Sequence, residues 1–145
     1  MADVKIIDID GEQWNIKDQD TRDRIAILED SLSTKDLPDA QIIMVDGYTC
    51  SSIKITECYK VGKIIFSYLR IENLSGKGVG GTSDITIADT NFIPKKYTSF
   101  IARDYIAPAT VKCYLKDNGE LCLGESNGVK DGYNVICGEL IFAEG

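Results

Sequence analysis

Histidine is missing altogether: none of the 145 residues carries an imidazole. Ser-His-Asp and Cys-His sites need that ring to move a proton, so nucleophilic chemistry of those kinds is excluded. Any acid–base work would fall to carboxylates, lysines or tyrosines, and no motif points to it. Zinc sites lose their nitrogen ligands, and Cys50, Cys58, Cys113, Cys122 and Cys137 show no C-x-x-C spacing. Five dispersed thiols, odd in number, read as reduced side chains in or near the core. No catalytic residue, metal ligand or cofactor is assigned.

Long apolar runs are absent too. Nothing approaches the roughly 20 residues that span a bilayer, so no membrane insertion is expected. The opening "MADVKIIDIDGEQW" has no basic cluster ahead of an apolar stretch, so it does not read as a signal peptide and a cytoplasmic start is expected. Basic charge is also scarce. Residues 1–40 hold eleven acidic and five basic side chains, and the remainder is close to neutral. A nucleic-acid binder needs a basic face; with none visible, nucleic acid is not expected as a partner.

The residues that are present fall into two parts, 1–36 and 37–145. In "VKIIDIDGEQWNI" two short apolar-rich runs flank Asp10-Gly11, a dipeptide suited to a type I′ turn, which predicts a small hairpin. "KDQDTRDRIAILEDSLSTK", residues 17–35, predicts a helix with Asp18 or Asp20 as N-cap. Ile25, Leu28 and Leu32 fall at i, i+3 and i+7, an a/d seam of roughly two heptads. Such a helix is too short to stand alone, so it must pack on its own domain or on copies of itself. "STKDLPDA" breaks the helix and reads as a linker.

Beyond it the chain reads as strand throughout. Runs rich in Ile, Val, Tyr, Thr and Phe recur at 41–46, 52–60, 63–74, 83–88, 97–107, 109–116, 119–124 and 134–142. Gly, Asn, Asp and Pro punctuate them as in an antiparallel β-sandwich or jelly roll. In "VKCYLKDNGELCLG" a three-residue loop with Gly119 left-handed sets Leu115 opposite Leu121 and Cys113 opposite Leu123. A two-residue loop would set Leu115 opposite Cys122 instead, and neither register pairs Cys113 with Cys122.

"SGKGVGG", residues 75–81, has the spacing G-x-G-x-x-G. A dinucleotide fingerprint needs a helix opening from the last glycine, and "TSDITIA" reads as a strand instead. The segment is therefore expected to be a mobile hairpin loop. Such a loop, with Lys77 in it, is adaptable and faces solvent. "ESNGVKDGY" has the same character, with Ser126, Asn127, Lys130 and Asp131 leading to Tyr133. Hydrogen-bonding side chains beside an aromatic face suit a sugar, so these six residues are the expected ligand contacts.

As a whole the sequence resembles the tail-fibre and receptor-binding (baseplate) proteins of tailed bacteriophages. "DIDGEQWNIKDQDTRDRIAILE" is similar to an N-terminal pattern that leads into a short coiled coil in that group. "YKVGKIIFSYLRIENL", "NFIPKKYTSFIA", "VKCYLKDNGELCLGESN" and "GYNVICGELIFA" come in the order seen in their C-terminal heads. The resemblance implies a mostly β homotrimer. A short hairpin and a trimeric coiled coil, with Ile25, Leu28 and Leu32 at the threefold interface, would precede a β-sandwich or jelly-roll head. It further implies a non-enzymatic virion component at the tail tip, made in the host bacterial cytoplasm. That component would bind bacterial surface polysaccharide or a teichoic-acid-like polymer, and neighbouring tail or baseplate proteins. Two other functions fit the same residues: a structural tail block that touches no receptor, and a depolymerase. The depolymerase would use a carboxylate pair drawn from Asp84, Asp89, Asp104, Glu120, Glu125 and Asp131.

Overall fold

The computed structural model describes residues 5–9, 12–16, 19–81, 83–105, 109–127 and 132–145. In chain order its elements are β1 (Lys5–Ile9), β2 (Glu12–Ile16), α1 (Gln19–Leu32), β3 (Thr34–Asp36), β4 (Ile42–Met44), β5 (Tyr48–Thr49) and β6 (Ser52–Val61). Then come β7 (Ile64–Gly76), β8 (Ile85–Thr90), β9 (Thr98–Asp104), β10 (Thr110–Leu115), β11 (Glu120–Asn127) and β12 (Tyr133–Ala143). The fold is mostly β with one short helix, and every strand pairing is antiparallel.

β1 and β2 pair with Ile9 opposite Glu12, the register of a two-residue connection. The expected turn residues Asp10 and Gly11, like the candidate cap Asp18, lie outside the described residues. Asp20 stands inside the first turn of α1 rather than capping it, where its carboxylate favours the helix dipole. The helix ends at Leu32, and Ser33 closes it by donating from both its amide and its hydroxyl to the Asp30 carbonyl. The "STKDLPDA" segment is more than a linker. Thr34–Asp36 forms an edge strand on β6, and Leu37 packs against the core. Residues 34–36, at the end of the N-terminal part, thus pair with the main sheet.

That sheet runs β3-β6-β7-β12-β9-β10-β11-β8-β4, with β5 also on β7. β5 extends the alignment of β6, since Tyr48 faces Gly76, Thr49 faces Ser75 and Ser52 faces Glu72. Laid flat, β5 and β4 would stand seven strand spacings apart, ~34 Å at ~4.8 Å each. Yet the chain passes from Met44 to Tyr48 through a tight turn, a reach of at most ~14 Å. The sheet must curl until its ends meet, and it does so around a single apolar core. Ile55, Leu69, Ile71, Ile87, Leu115, Leu121, Ile136 and Leu140 are fully buried there.

The alternation of each strand decides what enters the core. On β7, Ile65, Ser67, Leu69 and Ile71 point inward, and Ser67 satisfies its hydroxyl by donating to the Leu140 carbonyl at 2.9 Å. On the β10–β11 hairpin, Leu115 pairs with Leu121 and Cys113 with Leu123, which is the three-residue-loop register. Gly119 carries the left-handed backbone that this loop requires, at φ 88°. Thr90 donates its amide to the Gly119 carbonyl at 2.9 Å, so β8 packs directly on the turn.

All five cysteines are free, with Cys58, Cys113 and Cys122 buried and Cys50 and Cys137 half-buried. Burial pushes the Cys113 thiol up to about 12. Its folded value thus exceeds its ordinary value of 9.0, so this group's contribution to stability is intact below pH 9 and is lost as pH climbs from there towards 12.

This packing makes the turn glycine and the thiols directly testable. Ala at Gly119 would place a Cβ 2.5 Å from the Thr90 carbonyl oxygen on a left-handed backbone, so Gly119→Ala should destabilise by about 2 kcal/mol or more in a denaturant titration. A chromogenic disulfide reagent at pH 8 should titrate Cys50 and Cys137 in the native protein, and all five thiols only after unfolding.

Candidate functional site

The glycine segment joins β7 to β8, which are not neighbours in the sheet, so it is a crossover connection rather than a hairpin loop. It is also pinned. Val79 is buried in the core, Ser126 donates its hydroxyl to the Gly80 carbonyl at 2.8 Å, and Tyr48 donates to the Lys77 carbonyl at 3.1 Å. The next element after Gly81 is the strand β8, so no helix N-terminus is available to a phosphate.

Of the residues expected from sequence to meet a ligand, Lys77 and Ser126 share one end of the sheet, joined through the glycine segment, and Lys77 is exposed. Asn127 ends β11, and Lys130 and Asp131 lie outside the described residues. Tyr133 is 3% exposed and belongs to the core. Burial pushes its phenol upward, with Ser126 beside the hydroxyl acting in the opposite direction. Tyr133 borders a cleft of about 440 Å³ with Asn73, Ser75, Gly132 and Asn134.

The larger concave surface lies elsewhere, on the outer face of β6, β7, β12 and β9. Residues that alternate out of the core on β7 are bulky and aromatic. Phe66 stacks on Tyr59 of β6 with ring centres 5.0 Å apart and planes 6° from parallel. Beside them stand Ile141 opposite Phe66 and Glu139 opposite Tyr68. A bulge between Thr56 and Tyr59 puts Glu57 in the left-handed region at φ 54°, turning its carboxylate out while Cys58 turns in. Glu57, Tyr59, Phe66, Tyr68, Glu139 and Ile141 line a cleft of about 320 Å³.

A second cleft, of about 720 Å³, continues from the first and shares Tyr68 and Glu139 with it. It opens beside the end of the β12–β9 ladder. Their ladder holds where Ile136 faces Asp104 and Cys137 faces Arg103. At the next residue, Gly138, the strands cross so closely that a Cβ would lie 3.1 Å from both the Ala102 Cα and the Ile101 oxygen. Arg103, Tyr105, Cys137 and Ile101 line this second cleft. Contact with the Cys137 thiol, with burial second, pushes the Tyr68 phenol upward. A third, smaller cleft shares Ile101 with the second and adds Thr110, Lys112, Glu125 and Ser126, the last of these expected from sequence to meet a ligand.

Glu57, Glu139 and Arg103 form no ion pair among the described residues. Of the carboxylates weighed for catalysis, Asp104 is largely buried at the edge of the second cleft, Glu125 lines the third, and Asp131 lies outside the described residues. Asp89 and Glu120 stand opposite each other on β8 and β11. Neither lines the clefts above, and the bond from Lys116 at 2.7 Å holds the Glu120 carboxyl below its ordinary value, where a general acid needs the reverse. Asp84 lies by Tyr114, whose phenol is pushed up to about 12 by burial first and by the Asp84 charge second. No group of three or more Cys, Asp or Glu among the described residues could hold a metal ion.

On α1, Leu28 and Leu32 are 60% and 73% exposed, Ile27 is 68% exposed, and Ile25 is half-buried. This ridge is therefore not tucked against the curled sheet. No protein-family model matches the chain, and no curated protein matches it.

The clefts were missed in the sequence because outward residues on a half-exposed strand are expected to be polar. The signal was nevertheless present in "IIFSYLRI", where Phe66 and Tyr68 occupy alternate positions to Ile65, Ser67 and Leu69. Replacing Tyr68 by Ala should enlarge the joined clefts and leave the fold intact, since the side chain projects away from the core. Far-UV and near-UV circular dichroism should match the parent, with a stability change within about 1 kcal/mol.

Proposed function

We propose that this chain is a non-enzymatic receptor-binding component of a phage or prophage tail, a homotrimer that adheres to bacterial surface glycan. In this reading the curled sheet is a β-sandwich head, and α1 is the helix that joins three copies. The sequence resemblance to tail receptor-binding proteins suggested the class. The observation that carries it is the exposure of Leu28 and Leu32 on α1, with Ile25 half-buried, while the core of the sheet is complete without them. An isolated helix of 14 residues is marginal in water, so a ridge of this kind calls for sister helices. Ile25, Leu28 and Leu32 would then form the threefold seam.

Trimerisation would serve adhesion. Three weak sites on one body bind a repetitive surface by avidity, and no single site need be tight. The outer-face clefts, with aromatic walls and unpaired carboxylates, have the character of sugar-binding surfaces. Attachment through neighbouring tail proteins, at the tail tip of the virion, completes the reading.

Light scattering on the purified chain tests the assembly, and a particle of about 48 kDa is expected, three times the 16.0 kDa chain. Leu28→Asp should return it to a single-chain mass with the sheet still folded. A parent protein that stays monomeric at micromolar concentration would remove the trimer. Sedimentation with bacterial cell walls tests adhesion, and a folded trimer left in the supernatant across a panel of walls would remove the receptor-binding role.

A further inference from the structure

We propose that the outer face of β6, β7, β12, β9 and β10 binds an extended, uncharged chain of N-acetylated hexosamines, laid across the strands. This rests on the glycan-binding reading above and names where the ligand lies and what chemistry it carries. Three clefts adjoin in one line, the first two sharing Tyr68 and Glu139 and the last two sharing Ile101. From β6 to β10 there are four strand spacings, ~19 Å at ~4.8 Å each, a track several sugar rings long. A terminal monosaccharide would leave most of it empty.

The lining selects the chemistry. The stacked Tyr59 and Phe66 rings and Ile141 form an apolar wall, and Glu57 and Glu139 stand beside it as acceptors. An acetamido group supplies a methyl for the wall and an N–H for a carboxylate, and the Tyr68 hydroxyl can donate to its carbonyl. A polyanion is disfavoured because the cations of the track, Arg103 and Lys112, share it with Glu57, Glu139 and Glu125.

A second copy of the chain fits this face poorly. Interface cores are depleted of charge, and two such faces would bury Glu57, Glu139 and Glu125 of each copy with only Arg103 and Lys112 of each to pair them, which would weaken the interface. Sugar hydroxyls and amides satisfy the same carboxylates without that cost.

The test is calorimetry of the intact protein with chito-oligosaccharides from monomer to hexamer, with poly(glycerol phosphate) as the polyanion. Affinity should rise by about tenfold or more from monomer to hexamer and change little with salt. It should fall by about tenfold in Tyr68→Ala and in Glu139→Gln, and be untouched by Ile43→Ala on distant β4. Glu139→Gln keeps the shape of its side chain, so its result does not depend on how the cleft walls settle in Tyr68→Ala. Hexamer binding that ignores both variants, preference for the polyanion, or no binding of the hexamer would each overturn the proposal. A changed oligomer mass in Glu139→Gln would give the face to a sister chain and overturn it too. Parallel sedimentation with cell walls separates the two levels: adhesion that survives in both variants rejects this track and leaves receptor binding standing.

Discussion

The closure of the sheet is the constraint on which the rest depends. Between Met44 and Tyr48 the chain steps from the β8 edge to the β7 side in a single tight turn. That step is possible only because the sheet bends around its own inner face. Once bent, it has one enclosed surface, and the strand alternation sends Ile, Leu and Val there. The core therefore needs nothing from α1, and this is why an apolar ridge can remain outside it.

Bending also creates the outer clefts. Antiparallel strands at uniform spacing would present a smooth surface. Irregularities break it, among them the bulge at Glu57 and the end of the β9–β12 ladder after Cys137, where Gly138 permits near contact with Ala102. Each irregularity turns polar groups outward next to aromatic ones. These local departures supply a mixed apolar and acidic concavity that joins several strands.

Much of this was legible in the residues. The predicted strands at 52–60, 63–74, 109–116 and 134–142 fall on β6, β7, β10 and β12 because period-two alternation and Gly or Asn punctuation are local signals. The Gly119 register was legible for the same reason, since turn chemistry fixes pairing nearby. Partnerships distant in sequence were not. Nothing local says that "TKD" will lie on β6, or that β12 will sit between β7 and β9. The candidate site failed to read for a related reason. Loops such as "SGKGVGG" advertise themselves by composition, whereas the Tyr68 cleft is assembled from β6, β7, β12 and β9 and exists only after pairing. Tyr133 shows the converse: an aromatic at a loop edge by sequence, it is buried because β12 begins there.

Hydrogen–deuterium exchange in the presence of soluble glycan fragments released from bacterial walls tests glycan binding on the outer face most directly, because it locates the ligand without presuming a residue. Exchange should slow in residues 57–70 and 137–141, with the glycine segment 76–81 unchanged. Protection confined to that segment, or no protection while the fragments are bound, would contradict an outer-face site.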